Sequence, residues 1–215
     1  MKIIAIPDVH GRVDKMKPYF DKIKSADLVI LAGDLTNGDL DTAKMVFDVL
    51  GKYTDKILTI PGNMDTDEIV AHTDALGYNI HKSYRVIDGV AFVGMGGALP
   101  FDGAFVYSEA EYETIMSNTV NGLGDTPQIL VCHQPPINTL NDKLYDGRQV
   151  GSKAVRAYIE KHQPLICFTG HIHEASGIDT IGKTKICNPG PVWKGYATAE
   201  IVDGEVIELE IHSLV

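Results

Sequence analysis

Short, unbroken apolar runs recur along the chain: Ile3–Ile6, Leu28–Ala32, Ile57–Ile60, Val90–Val93, Ile129–Cys132 and Leu165–Phe168. Runs of this length without polar alternation predict strands buried on both faces. Between several of them the spacing becomes helical. Ala43, Val46, Phe47 and Leu50 fall at i, i+3, i+4 and i+7, and Tyr112, Ile115, Met116 and Val120 make a similar stripe, as do Val155, Tyr158 and Ile159. A first helix is expected near Val13–Ile23, bending or beginning at Pro18, whose ring removes an N–H. Asp88-Gly89 and Asp203-Gly204 each separate strand-like segments and predict tight hairpins. After the second, Ile207, Leu209 and Ile211 are expected on one face, with Glu208 and Glu210 on the other. The first half reads as β-α-β units and the last 40 residues as antiparallel strands. With no linker or repeat between them, this predicts a single α/β domain over residues 1–215, with two stacked sheets and flanking helices.

Composition narrows the classes. A chain of 215 residues that is 44% hydrophobic can build one sizeable core. Its net charge of -10 argues against a nucleic-acid partner, which calls for a basic stripe, and against anionic membrane surfaces. No apolar run reaches the roughly 18 residues that a membrane helix needs. The apolar stretch after Lys2 ends at Pro7-Asp8, too short for a signal-peptide core. Cys132, Cys167 and Cys187 lack zinc-type spacing, and no Asn-x-Ser/Thr site occurs, so buried reduced thiols and a cytoplasmic location are expected. There are also 21 glycines, an excess whose meaning depends on where they fall.

The buried strands end in unusual residues. The first runs into Asp8-Val9-His10-Gly11, the second into Gly33-Asp34 and the third into Gly62-Asn63-Met64-Asp65. The run at 129–132 leads to His133, and that at 165–168 leads to Gly170-His171-Ile172-His173. Strand C-termini of α/β sheets share one edge, where ligands bind. Two carboxylates, one amide and four imidazoles would then meet there. A nitrogen and oxygen donor set without thiolate suits Mn, Fe, Ni or Zn better than a sulfur-rich structural site. Seven donors exceed what one tetrahedral ion takes. If one carboxylate bridges, they give four bonds to each of two ions, and a pair roughly 3.5–4 Å apart clamps phosphoryl groups.

The order Asp8-x-His10, Gly33-Asp34, Gly62-Asn63, His133 and Gly170-His171-x-His173 resembles the calcineurin-like metallophosphoesterase superfamily, and in particular its small, cap-less phosphodiesterase branch. The resemblance extends from Asp8 to Asn188-Pro189-Gly190. It implies a four-layer α-β-β-α sandwich of two mixed sheets flanked by helices. It also implies one metal held by Asp8, His10, Asp34 and His173, and another held by Asp34, Asn63, His133 and His171. Asp34 would bridge, and a metal-bridging hydroxide would attack phosphorus in line. Asn63 could also touch a phosphate oxygen.

One departure bears on the substrate. The family's commoner pattern is Gly-Asn-His, and here the histidine position is Met64, which cannot donate a proton near neutral pH. Loss of a general acid hurts poor leaving groups most, so a small phosphodiester is the favoured substrate. A phosphomonoesterase or protein phosphatase is the alternative, and a protein-interaction scaffold with a vestigial metal site is the alternative of another class. Arg148, in the polar loop after His133, is a candidate for binding a phosphate oxygen bidentately. His72, His81, His162 and His212 read as surface or helix-terminal residues. His81 is a possible replacement acid, but no sequence feature places it at the site. Trp193 is expected to pack near the final strands, with substrate stacking as the other reading. The loop Gly94–Ala104 is expected to form a turn or a pocket rim using Phe101 and Phe105.

Overall fold

The computed structural model describes residues 1–214, and its strands alternate as buried strands must. The first sheet has the order β11-β10-β1-β2-β3, with β1 (Lys2–Ile6), β2 (Leu28–Ala32) and β3 (Ile57–Ile60) parallel, and β10 (Gly195–Val202) and β11 (Glu205–Ser213) antiparallel. The second has the order β4-β5-β6-β7-β9-β8. In it β5 (Val90–Met95), β6 (Gln128–Cys132), β7 (Ile166–Phe168) and β9 (Thr184–Asn188) run parallel, and β4 (Tyr84–Ile87) and β8 (Gly177–Ile181) are antiparallel edges.

Every second residue of these strands faces the other sheet. Ile3, Ala5, Ile30 and Ile60 meet Phe92, Ile129, Val131 and Phe168 in a central core. Their neighbours Ile4, Ile6, Val29 and Leu31 face outward under α1 (Phe20–Ser25), α2 (Leu40–Leu50) and α3 (Asp67–Ala75), through Ile23, Ala43, Val46, Phe47, Leu50 and Ile69. On the far side, Val93, Leu130 and Cys167 carry α4 (Glu109–Thr119) and α5 (Lys153–His162), through Tyr112, Met116, Val155 and Ile159. The layers are therefore helix, sheet, sheet, helix, and both faces of each central strand are covered. The unbroken apolar runs follow from this arrangement. Cys132, Cys167 and Cys187 are buried free thiols. No helix among the described residues is long and apolar enough to cross a membrane.

Three local outcomes refine the sequence reading. Val13–Tyr19 is a 3-10 helix containing Pro18, and the α-helix begins only at Phe20. Both hairpins form with positive φ at their two central residues (Asp88 48° and Gly89 78°; Asp203 52° and Gly204 78°), the signature of a type I′ turn. Ile207 does not share a face with Leu209 and Ile211. Glu200 pairs with Glu208 while Ile201 pairs with Val206, so Ile207 is the extra residue of a β-bulge and is 59% exposed. Val206 takes its place against the core.

Candidate metal centre

The C-terminal ends of β1, β2, β3, β6 and β7 lie along one edge of the sandwich, and their exit loops are stitched together. Asp8 N–H donates to the Gly33 carbonyl at 3.0 Å, His10 N–H to the Asp34 carbonyl at 2.9 Å, and Gly170 N–H to the His133 carbonyl at 3.2 Å. Asp8, His10, Asp34 and His171 all sit in the left-handed region, with φ of 51°, 46°, 49° and 66°. Such conformations cost about 1–3 kcal/mol each for residues with a Cβ and concentrate at functional sites. Two glycines make room. A Cβ on Gly62 would fall on the Asp34 carboxylate, and one on Gly33 would fall on the His133 ring.

The polar atoms of these loops converge. His10 Nε2 lies 3.3 Å from His173 Nε2 and 3.7 Å from Asp34 Oδ2. His173 Nε2 is 3.4 Å from Asp8 Oδ1. His133 Nε2 is 3.5 Å from Asp34 Oδ2 and 3.2 Å from Asn63 Oδ1, and its ring centroid lies 5.2 Å from that of His171. Asp8, His10 and His173 each offer an atom within 4.8 Å of the others, as do Asp8, Asp34 and His133, so each trio is able to hold a metal ion. All seven residues singled out in the sequence as donors meet at this edge.

Several residues orient these donors. His133 Nδ1 faces the Ala32 carbonyl at 2.8 Å, and His10 Nδ1 faces Asn37 Oδ1 at 2.7 Å. Donation of each Nδ1–H to its oxygen leaves Nε2 as the atom turned into the cluster. His171 N–H donates to both Asp8 oxygens (3.2 and 3.1 Å), and Met64 N–H to Asp34 Oδ1 at 2.9 Å. Asn63 Nδ2 donates to the Asp102 carbonyl at 2.8 Å, which turns Oδ1 toward His133. Asp65 is fully buried and accepts from the N–H groups of Leu35, Thr36 and Gly62, so it locks the second and third exit loops together. Sequence reading did not assign roles to Asn37, Asp65 or Asp102. Only Asp65 carried a signal, as the end of the Gly62–Asp65 motif.

Among the described residues, the carboxylates of the cluster have imidazoles, and neither lysine nor arginine, as their cationic neighbours. Asp8 and Asp34 are buried, and among the described residues neither pairs with a lysine or arginine. Burial works against ionised Asp34, but the charge and hydrogen bond of His133, the Met64 N–H and His10 outweigh it and bring its pKa down to about 2. The reciprocal effect lifts His133 to about 9 against burial, chiefly through Asp34. Burial and the charge on His133 lower His171 to about 4. Asp65 is pushed up to about 7 by burial and by Asp34. Buried carboxylates whose only cationic neighbours among the described residues are imidazoles sit where a metal ion can take the place of the imidazole protons.

The remaining candidates are placed differently. Arg148 is exposed and its Nε donates to Asp146 at 2.7 Å; no hydrogen bond or ion pair among the described residues joins it to the cluster. Phe101 is 88% exposed on the loop whose Asp102 holds Asn63, and Phe105 packs edge-on against His81. His81 is not a free surface histidine. Gly96 N–H donates to its Nδ1 at 2.9 Å, so Nε2 carries the proton and faces Tyr107 Oη at 3.2 Å. Burial, aided by Lys82, lowers it to about 3, and a ring so committed is no replacement acid. His162 ends α5, where burial and Lys161 lower its pKa, and its ring stacks on Tyr158 at 4.5 Å. Trp193 stands at the centre itself, with its ring centroid 5.5 Å from that of His173 and 6.0 Å from that of His10.

Comparison with known proteins agrees with this geometry. A family model described as calcineurin-like phosphoesterase matches residues 1–175. The uncharacterized protein MJ1162 of Methanocaldococcus jannaschii is 36% identical over 200 residues, covering 89% of this chain and 88% of that protein. The crystal structure of TT1561 of Thermus thermophilus superposes with a TM-score of 0.77 at 18% identity, covering 100% of this chain and 99% of that one. A structure described as a novel archaeal phosphodiesterase superposes with a TM-score of 0.57 at 14% identity, covering 99% of this chain and 100% of that one. At these identities the two structural likenesses are likenesses of fold.

Proposed function

The chain belongs to the calcineurin-like phosphoesterase family, and from that premise we propose that it is a binuclear metal-dependent phosphodiesterase, working as one domain over residues 1–215. The observation that carries this reading is the convergence of nitrogen and oxygen donors on one point. His10 Nε2 and His173 Nε2 face each other at 3.3 Å beside two buried carboxylates with no lysine or arginine partner among the described residues. Two ring nitrogens and two carboxylates turned toward one point make a donor set that suits a cation.

In this reading Asp8, His10, Asp34 and His173 hold one ion, and Asp34, Asn63, His133 and His171 hold the other, with Asp34 shared. The donor set suits Mn, Fe, Ni or Zn. Bound there, the ions would supply positive charge to phosphate oxygens and activate water at neutral pH. The protein's own contribution is orientation. Ala32 and Asn37 fix two imidazoles, Asp102 fixes the Asn63 amide, and Asp65 fixes the loops that carry Asp34 and Asn63.

The preference for diesters rests on Met64. Its backbone N–H holds Asp34, but its half-buried side chain offers no proton to a leaving oxygen. The solved archaeal phosphodiesterase with this fold supports the same substrate class. The test is side-by-side hydrolysis of bis(p-nitrophenyl) phosphate and p-nitrophenyl phosphate with Mn²⁺. The diester is expected to show the higher kcat/KM. A monoester preference would assign the protein to the phosphomonoesterases instead.

A further inference from the structure

Phosphate recognition was expected of Arg148, which is engaged with Asp146 away from the cluster's contacts. A different arginine stands at the centre. Arg12 follows His10-Gly11, and its Cζ lies 5.7 Å from the centroid of the Trp193 ring. Trp193 in turn packs edge-on against His173 and tilted against His10. Its position is fixed from behind, because Val192 N–H donates to the Asp8 carbonyl and the Val192 carbonyl accepts from the buried Tyr19 hydroxyl. Lys194, next in sequence, is committed to the His173 carbonyl at 3.0 Å.

Arg12 is held only loosely. Its side chain is 49% exposed, and its only carboxylate neighbour among the described residues is Asp14, 3.6 Å from Nε. No hydrogen bond or ion pair among the described residues joins it to Asp8 or Asp34. Its outer N–H groups make no hydrogen bond among the described residues, and its guanidinium lies over the Trp193 ring that packs against His10 and His173. A planar fork of donors at a site that takes a phosphate ester fits a second anionic group in two-point contact.

We propose that Arg12, braced on Trp193, is a specificity subsite for a phosphodiester bearing a further phosphate or carboxylate on the substituent that lies over His10 and His173. This deepens the phosphodiesterase reading and rests on it for turnover, but not for binding.

Two matched chromogenic esters test it: thymidine 5′-(p-nitrophenyl phosphate) with and without a 3′-phosphate. The Mn²⁺-loaded protein is expected to favour the 3′-phosphorylated ester, mainly through KM. Arg12→Met is expected to shrink that preference about tenfold, the loss of one charge-assisted two-point contact. An unchanged preference in Arg12→Met, or none in the parent, overturns the proposal. A binding readout separates its failure from that of the phosphodiesterase reading. Trp193 is the only tryptophan, so its fluorescence reports on this lip directly. Thymidine 3′,5′-bisphosphate is expected to change that signal at lower concentration than thymidine 5′-monophosphate, with the difference lost in Arg12→Met. Equal responses overturn the subsite even if neither ester is hydrolysed. Hydrolysis absent but the fluorescence difference present upholds the subsite and removes the phosphodiesterase reading.

Discussion

At the scale of single residues, the seven donors were legible because each is a polar group stranded at the end of an apolar run. The backbone explains why those residues were placed there at a cost. Asp8, His10, Asp34 and His171 hold left-handed conformations that few side-chain-bearing residues adopt, and all four face the cluster. The supporting residues were not legible. Asn37 acts on His10 from 27 positions away, and Asp65 acts through the N–H groups of Leu35 and Thr36, 30 and 29 positions away. Hydrogen bonds of that kind leave no spacing signature. Arg12 was passed over for the same reason, since only the fold brings Trp193 beneath it. Met64 carries the residue-scale prediction. Met64→His restores an imidazole at the position where the family commonly has one. It is expected to raise kcat by roughly 10²-fold or more on esters with poor leaving groups, and much less on p-nitrophenyl esters. A steady-state comparison across leaving groups checks this, and no gain on the poor ones would remove the argument from Met64.

At the scale of elements, the strands at the apolar runs and the helices with apolar stripes were read from burial that is two-sided or one-sided, whereas β8 and β9 were not singled out, and β9 runs parallel to β7 although antiparallel strands were expected there. The helix at Asp67–Ala75 was not foreseen, since it buries only Ile69 and Thr73. The bulge at Ile207 was equally hidden, because register is set by the partner strand and not by alternation within one strand. His81 joins two elements in a way the sequence did not show. It pairs with Gly94 at the end of β5, and its ring bonds Gly96 and Tyr107. Its pKa, lowered from 6.5 to about 3, gives a pH prediction. Between those values the unfolded chain binds a proton that the folded one refuses. Stability from the neutral ring is therefore complete above about pH 6.5 and lost as pH falls toward 3, by up to about 1.4 kcal/mol per unit. His81→Gln keeps an acceptor for Gly96 but cannot titrate. Denaturant unfolding at pH 7 and pH 5 should show wild type losing stability relative to the variant at the lower pH. A constant difference would contradict the neutral, buried ring.

At the scale of the whole molecule, the net charge of -10 argued against polyanionic partners and said nothing about the centre. The fold makes the distinction. Two sheets bring five strand ends to one edge, where buried carboxylates and imidazoles form clusters able to hold metal, whose charge would reverse the local sign. The central claim is that this edge hydrolyses phosphodiesters with two metal ions. Its most direct test is the rate of bis(p-nitrophenyl) phosphate hydrolysis as Mn²⁺ is titrated into chelator-treated protein. The account predicts no turnover without metal and a rise that saturates at two equivalents per chain. Full turnover in chelator, or none with two equivalents bound, would contradict it.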